Sequence, residues 1–294
     1  MSGPGDIAMR LANRAREAQR RWRRPLLIAA AAVVMIGCAY AISALEISAD
    51  DISLGPLLAL TLALAPLSLL YAAANMKLTA IAVGAAIPMA GCLRIACFAQ
   101  IAEVAPAPGG AIVRGAALIE AGVPAARSAA IVAANAVLWI ACAVFAAALV
   151  VNGPGWATTT ALAAGAAGMA LSTLWIARIG SVRIALLSVL LRVVGLPIAA
   201  FRMALAFAAL SAPIPAMDGF VFAFASIAGS AASIAPAGLG VSEALAALLA
   251  PLTEAAPAAA FLAVALNRLV GFAVAGLACG LFALRPSGGE PRDG

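Results

Sequence analysis

Apolar residues run along this chain in long stretches, separated by short breaks of charged residues, glycine and proline. A helix needs about 20 apolar residues to cross the hydrocarbon core of a bilayer, and eight stretches approach or exceed that length. They are residues 25–45, 54–74, 78–101, 125–151, 156–177, 184–210, 218–234 and 257–284. The pattern predicts an all-α protein, a polytopic transmembrane bundle with about eight long spans.

Two further stretches, residues 103–121 and 235–251, are too short and too interrupted to be ordinary spans. The first contains Ala-Pro-Ala-Pro-Gly-Gly at 105–110, and the second contains Pro-Ala-Gly-Leu-Gly at 236–240. We predict that both are short broken or re-entrant helices. Counting them gives ten elements, with a short one fourth in each set of five, and this spacing is consistent with an inverted repeat.

Composition supports a membrane protein and argues against a soluble domain. Of the 294 residues, 65% are hydrophobic and only 10% are charged, and the mean hydropathy is +1.10, whereas soluble domains are roughly half apolar and about a quarter charged. The five cysteines lie in apolar stretches without the spacing of a disulfide framework. Histidine is absent, which removes the commonest general base. We therefore predict no catalytic constellation, no metal site and no cofactor.

Positive charge is concentrated before the first span. Seven arginines fall between Arg10 and Arg24, so residues 1–24 are predicted to be a basic cytoplasmic segment, either a helix on an anionic membrane surface or a disordered tail. A single transmembrane domain, residues 25–284, and a short cytoplasmic tail, residues 285–294, follow. The concentration of charge in one place does not indicate a nucleic-acid partner.

The positive-inside rule predicts the orientation of the chain. Alternating the ten elements from a cytoplasmic N-terminus places five later basic residues on the cytoplasmic side, namely Lys77, Arg127, Arg178, Arg183 and Arg285. The acidic turn of Glu46, Asp50 and Asp51 then falls outside, together with Glu254. We predict a multi-pass protein of the cytoplasmic (inner) membrane with both termini in the cytoplasm.

Charged residues inside the apolar stretches are the main functional candidates, because each costs about 2.5 to 3.5 kcal/mol at the bilayer centre unless it meets water or a partner. A helix that restarts after a Pro-Gly break offers free amides to a phosphate, and arginine donates to phosphate in pairs. The predicted substrate-binding residues are Arg94, Arg114, Arg192, Glu243 and Arg268, with Pro108, Gly109, Gly110, Gly238 and Gly240 at the breaks. A carboxylate in a first helical turn is also a structural feature, and this is the alternative role of Glu243.

These elements resemble motifs of the lysylphosphatidylglycerol synthase transmembrane-region family. Residues 105–114 resemble its Pro-x-x-x-Gly-x-x-x-Arg element, and residues 234–243 resemble its Pro-x-Gly-Gly-Leu-Gly-x-x-Glu element. Residues 267–269, Asn-Arg-Leu, resemble its later Tyr-Arg-Leu, and the order and spacing match over residues 26–284. Members often have Glu-Arg in the span after the first motif, where this chain has Ala-Asn at 134–135.

The resemblance implies a stand-alone, flippase-type member that translocates a phospholipid or another lipid-linked headgroup through a cavity at the membrane midplane. It assigns binding roles to Arg114, Glu243 and Arg268. Two alternatives stay open: a membrane-embedded transferase acting on lipid-linked substrates, and a non-catalytic partner of a lipid-pathway enzyme, whose charges would pair in a dry core. The expected partners are a lipid headgroup and the membrane, with a homodimer or a lipid-pathway enzyme as the protein contact.

Overall fold

The computed structural model describes residues 35–36, 39–40, 43, 52–103, 109–151, 155–231 and 240–284. The predicted basic segment, most of the first predicted span and the C-terminal tail lie outside these residues, as do Pro108 and Gly238. Every regular element in the described ranges is helical. The all-α prediction is therefore confirmed for this part of the chain.

Nine helices form the described ranges. They are α1 Leu54–Ala82, α2 Met89–Ala102, α3 Gly109–Glu120, α4 Ala125–Val150, α5 Gly155–Ile179, α6 Val182–Ala209, α7 Gly219–Ala231, α8 Val241–Leu249 and α9 Pro257–Leu284. One stretch of α1, Leu60–Leu64, is a π-helix, and a 3-10 turn, Ala250–Thr253, extends α8. Five helices (α1, α4, α5, α6 and α9) are long and apolar enough to cross a membrane.

Apolar side chains cover the outside of the bundle. Leu62 on α1 and Leu277 on α9 are 71% and 72% exposed, whereas Asn135, Glu243 and Arg268 are buried. Soluble proteins usually bury large apolar residues and expose charged ones. The reversed distribution and the long apolar helices are typical of a multi-pass membrane protein.

The structure corrects the predicted boundary between the second and third spans. The sequence places a turn at Lys77, but α1 continues through this residue to Ala82. The chain turns later, at Gly84 with φ +79°, and α2 begins after Pro88. Lys77 remains inside the helix because its Nζ donates to the Ile87 carbonyl oxygen at 2.7 Å, so its charge faces the turn.

One element predicted as a full span is shorter in the structure. Instead of a span over residues 78–101, α2 has 14 residues. The described part of α7 covers 13 residues of the predicted span 218–234, and the last three residues of that span lie outside the described ranges. The short α3 and α8 agree with the two predicted short elements, 103–121 and 235–251. Five long apolar helices are therefore present in the described ranges, where about eight long spans are predicted for the whole chain.

Basic residues gather at one end of the bundle. Arg127 Nη2 at the start of α4 donates to the Ile179 carbonyl oxygen at the end of α5, at 2.8 Å. A Cβ added to Gly180 would lie 3.0 Å from the carbonyl oxygen of Ala82, so the end of α1 is adjacent. We call this end, which contains Lys77, Arg127, Arg178 and Arg183, the basic end.

Acidic residues mark the opposite end. The Ser53 amide before α1 donates to the carbonyl oxygen of Ala209 at the end of α6, at 2.9 Å. Asp218, which precedes α7, interacts electrostatically with Glu254, which follows α8. We call this the acidic end.

The four short helices form two pairs that enter the bundle from opposite ends. The first pair, α2 and α3, starts at the basic end after α1 and leads back to α4, where Ser128 Oγ donates to the Gly115 carbonyl oxygen at 2.9 Å. The second pair, α7 and α8, starts and finishes at the acidic end. The described part of each helix is between about 14 and 21 Å long at 1.5 Å per residue, which is less than the roughly 30 Å of a bilayer core. The pairs therefore fit re-entrant elements.

Candidate functional site

The N-terminus of α8 is built from Gly240 and Glu243. Gly240 has φ +79°, a conformation that glycine adopts without strain. Its amide donates to Glu243 Oε2 at 2.8 Å, across the first turn of α8. This hydrogen bond is the carboxylate half of a capping box, so the structural role considered for Glu243 is present.

Glu243 also forms an ion pair with Arg268 of α9, which we call the inner ion pair. Glu243 Oε1 lies 3.2 Å from Arg268 Nη1, and the two side chains are 0% and 7% exposed. Arg268 Nη2 donates to Ser242 Oγ at 2.6 Å and, more weakly, to Ser230 Oγ at 3.4 Å. Helices α7, α8 and α9 therefore meet at one guanidinium group.

Gly229 allows α7 to approach α8 at this point. A Cβ at Gly229 would lie 2.5 Å from Cα and 2.6 Å from the amide nitrogen of Ser242. These are backbone atoms, so a larger residue could be accommodated only by moving α8. The absence of a side chain at Gly229 thus helps to place Ser242 against Arg268.

A second charge pair, the outer ion pair, links the end of α2 to α3. Arg114 Nη2 lies 3.8 Å from Glu103 Oε1, and both side chains are about one-third exposed, at 32% and 31%. Gly110 packs against this carboxylate, because a Cβ there would lie 2.9 Å from Glu103 Oε1. Gly109 packs even more closely on the carbonyl oxygen of Ala102, which a Cβ there would overlap. The predicted glycines of the first break therefore hold α3 against the end of α2.

The two ion pairs lie within electrostatic range of each other, although no direct ion pair joins Glu103 to Arg268 in the described part of the chain. Glu103 interacts with Arg268 as well as with Arg114, and Arg268 interacts with both Glu103 and Glu243. The order Arg114, Glu103, Arg268, Glu243 alternates in sign. Three of the predicted site residues, Arg114, Glu243 and Arg268, thus belong to one network, which Glu103 completes.

Arg192 of α6 lies in a separate group, which we call the arginine–tyrosine cluster. Its Nη1 donates to Tyr71 Oη at 2.7 Å, and its Nη2 donates to Asn135 Oδ1 at 3.1 Å. The guanidinium carbon lies 5.1 Å from the centre of the Trp139 ring, in a cation–π arrangement. Arg192 is only 3% exposed.

The other arginines of the apolar stretches differ sharply in environment. Arg202 Nη1 donates to Ser68 Oγ at 2.7 Å, and its Nη2 donates to the Asn267 carbonyl oxygen at 3.1 Å. Arg94 instead lies on the exposed face of α2, 5.9 Å from the centre of the Phe98 ring. Among the predicted site residues in the described ranges, Arg94 is thus the one on the outer surface.

Sequence reasoning missed several residues of these networks. Tyr71, Asn135, Ser242 and Arg202 are absent from the predicted site. One signal was available for Tyr71: the chain has just two tyrosines, and a hydroxyl within an apolar helix needs a hydrogen-bond partner. Arg202 gave the same signal as the predicted arginines, a charge inside an apolar stretch, whereas Ser242 gave none, since its role depends on helix packing.

The interior groups carry an excess of positive charge. Four arginines and two glutamates contribute to the networks, so four positive charges less two negative charges leave a formal charge of +2; they are Arg114, Arg192, Arg202, Arg268, Glu103 and Glu243. No group of three histidine, cysteine or carboxylate side chains suited to a metal occurs in the described part of the chain. The arrangement favours binding of an anion.

The sequence matches no protein-family model and has no significant match among curated proteins. The resemblance to the lysylphosphatidylglycerol synthase transmembrane-region family therefore stays a prediction from three sequence elements. The function of the chain has to be argued from its geometry and charge.

Proposed function

We propose that this protein is a flippase-like carrier of the bacterial cytoplasmic membrane, moving a phospholipid or another lipid-linked headgroup between leaflets. The observation that most supports the proposal is the alternating network of Arg114, Glu103, Arg268 and Glu243. It joins two pairs of short helices that enter from opposite ends. Charged groups at this depth are costly to bury, and in membrane proteins they usually belong to a transport path or a binding site.

The packing of the helices supports an inverted repeat. If α1 to α4 correspond to α6 to α9, then the contact of α1 with α2 corresponds to that of α6 with α7, and the contact of α3 with α4 to that of α8 with α9. The contact of α2 with α9 likewise corresponds to that of α7 with α4. Many secondary transporters have this plan, with the substrate site where the repeats meet.

The two ion pairs offer a stepwise path for a phosphate. The outer ion pair is accessible, so a headgroup phosphate would first compete with Glu103 for Arg114, forming charge-assisted hydrogen bonds with the guanidinium. The inner ion pair is closed in this conformation, and reaching Arg268 requires the second helix pair to move relative to the first. Rocking of one repeat against the other is the motion that the inverted plan permits.

Charge asymmetry supports an orientation for the carrier. The positive-inside rule assigns the basic end, with Lys77, Arg127, Arg178 and Arg183, to the cytoplasm. The acidic end, with Asp218 and Glu254, then faces outwards. In this orientation the first helix pair enters from the cytoplasmic side and the second from the outer side.

A reconstituted system tests the proposal. Vesicles contain fluorescent phospholipid in both leaflets, and dithionite bleaches the fluorophores that reach the outer leaflet. We expect wild-type protein to increase the bleached fraction beyond the outer-leaflet half, and Arg114→Gln and Glu243→Gln to abolish the increase. Arg94→Gln, which removes an exposed arginine, is the matched control and should behave as wild type.

One alternative has its own supporting observation. The inner ion pair is buried, as expected for a non-catalytic partner protein with charges paired in a dry core. Two features do not fit this alternative: the outer ion pair, which is about one-third exposed, and Arg192, which has no carboxylate partner in the described ranges. Folded wild-type protein that translocates neither anionic nor zwitterionic lipids would overturn the carrier proposal and favour the partner role.

A further inference from the structure

No described residue around Arg192 neutralises its buried charge. Within the described ranges, no carboxylate lies at ion-pair distance from its guanidinium. Its acceptors are neutral, namely Tyr71 Oη and two oxygens of Asn135, and its Nε has no hydrogen-bond partner in the described part of the chain. An unpaired buried cation is strongly unfavourable unless an anion joins it.

The local backbone is shaped to hold this arrangement. Gly195, three residues after Arg192 on α6, lies directly against the Tyr71 ring, and a Cβ there would overlap ring atoms. Asn135 is held in turn, because its Nδ2 donates to the Ile131 carbonyl oxygen at 3.1 Å. The guanidinium is therefore positioned by three helices, α1, α4 and α6, and its Nε–H has no hydrogen-bond partner in the described part of the chain.

The same two helices that hold Arg192 and Tyr71 form an apolar groove. Its lining includes Ala74 and Lys77 of α1 and Leu191 and Val194 of α6. Leu191 is the chain neighbour of Arg192, so the groove and the cluster share the seam between α1 and α6. A lipid lying with an acyl chain along this seam would bring its headgroup towards a cationic centre.

We propose that Arg192, Tyr71 and Asn135 form a second anion-binding site, separate from the inner ion pair, which takes the phosphate diester of a lipid with net negative charge. A phosphate oxygen would accept hydrogen bonds from the guanidinium and from the Tyr71 hydroxyl, which is then free to donate. An anionic diester neutralises the cluster, whereas a zwitterionic headgroup brings its own cation towards Arg192. The assignment of the phosphate to a lipid rests on the proposed carrier function, but the site itself does not.

Trp139 provides a direct readout, because its ring lies beside the Arg192 guanidinium. The chain has four tryptophans, and a full-length variant retaining only Trp139 reports this site alone. The purified variant is titrated with dihexanoylphosphatidylglycerol, dihexanoylphosphatidylcholine and inorganic phosphate. We expect a saturable fluorescence change with the phosphatidylglycerol, and binding weaker by about tenfold or more with the phosphatidylcholine.

Substitutions in the same background identify the site. Arg192→Gln should weaken phosphatidylglycerol binding by about tenfold or more, because it removes the charge-assisted hydrogen bonds. Tyr71→Phe keeps the ring and should cost less, and it serves as the test if Arg192→Gln does not fold. Arg178→Gln removes an exposed arginine that belongs to no predicted site and should leave the titration unchanged.

Three outcomes would overturn the inference: no saturable response in folded protein, an unchanged titration in Arg192→Gln and Tyr71→Phe, or equal affinity for the two lipids. A response to inorganic phosphate equal to that for phosphatidylglycerol would overturn the assignment to a lipid. The measurement requires no transport. Binding without translocation would refute the carrier function alone, and translocation without binding would refute this site alone.

Discussion

Glu243 and Arg268 are buried together, away from water. Each charge is therefore stabilised by its partner and not by hydration. Desolvating two charges costs several kcal/mol per ion, and here it is offset by the ion pair, by the Gly240 amide and by Ser242. Removing only one partner leaves the other charge uncompensated. Replacing one residue of the inner ion pair should therefore destabilise the protein strongly, whereas replacing both together should destabilise it much less.

This leads to a stability prediction for the inner ion pair. Glu243→Gln can still accept from the Gly240 amide but leaves Arg268 without an anion, so we expect a loss of roughly 3 to 5 kcal/mol. The double variant Glu243→Gln with Arg268→Gln should regain much of this loss. Chemical unfolding in detergent measures both, and an equal or greater loss in the double variant would contradict the argument. Arg94→Gln is the control, with an expected effect within about 0.5 kcal/mol.

Asp218 gives a pH prediction at the acidic end, outside the spanning helices. Burial, and then the nearby Glu254 carboxylate, raise the pKa of Asp218 above its ordinary value. A raised pKa in the folded state means that ionised Asp218 destabilises the fold at neutral pH, and that this cost disappears as the pH falls towards the ordinary value of about 3.9.

Asp218→Asn should therefore be more stable than wild type at pH 7, with a difference that shrinks as the pH falls to about 4. Thermal unfolding at several pH values provides the measurement. Glu254→Gln should give a smaller effect in the same direction, because it removes the second cause only. If Asp218→Asn were instead less stable than wild type at pH 7, Asp218 would be stabilised by a cation and the argument would be wrong.

Some of these residues could be identified from the sequence because a charge in an apolar stretch is energetically costly, although their contacts could not. Arg114, Glu243 and Arg268 stood out because charge is rare in apolar stretches, and the structure connects them through Glu103. The same criterion selected Arg94, which the structure places on the outer face, because a long side chain on a short helix can reach the surface. Sequence alone could not distinguish these cases, since exposure depends on neighbouring helices.

At the scale of helices, close approach of backbones determines how the second helix pair holds the inner ion pair. Gly229 of α7 is in direct contact with backbone atoms of Ser242 on α8. Interfaces between membrane helices commonly use small residues in this way. Ser242 lies on α8 and accepts a hydrogen bond from Arg268. Any displacement of α8 would therefore also displace this partner of Arg268.

Gly229→Ala should therefore separate α7 from α8 and destabilise the protein, by about 1 to 3 kcal/mol as in other overpacked interiors. Gly276→Ala on α9 is the matched control, because a Cβ there meets nothing within 4 Å, and it should be neutral or slightly stabilising. Thermal unfolding of the two variants decides the comparison. Equal behaviour would show that α8 adjusts to a Cβ at Gly229 without cost.

Element boundaries were predictable where glycine and proline interrupt the apolar pattern, and less so where a charge does. The short α3 and α8 follow the predicted breaks. The turn predicted at Lys77 is wrong, because the helix continues to Ala82. A lysine within a helix can satisfy its charge at the next turn, as its bond to Ile87 does here. The pairing of α2 with α3, and of α7 with α8, could not be predicted from the sequence because it depends on which ends of the long helices are adjacent.

At the scale of the whole molecule, the turns that lie at the same end of the bundle carry charge of the same sign. The turns linked through Arg127 and Ile179 contain the basic residues, and those linked through Asp218 and Glu254 contain the acidic ones. The alternation predicted from the sequence keeps these two groups on opposite sides. It gives the same sides whether each pair of short helices crosses the membrane or returns, because a pair adds either two crossings or none.

Labelling from one side of the membrane tests this arrangement. In a background with the five cysteines replaced, single cysteines are introduced at Val182→Cys in the basic end and Ala256→Cys in the acidic end, both at exposed positions. An impermeant maleimide should label Ala256→Cys in intact cells, but Val182→Cys only after permeabilisation, because the positive-inside rule retains the basic end in the cytoplasm. The opposite result would invert the orientation and keep the fold. Labelling of both from the same side would contradict the separation of the two ends, and with it the entry of the two helix pairs from opposite sides on which the carrier proposal depends.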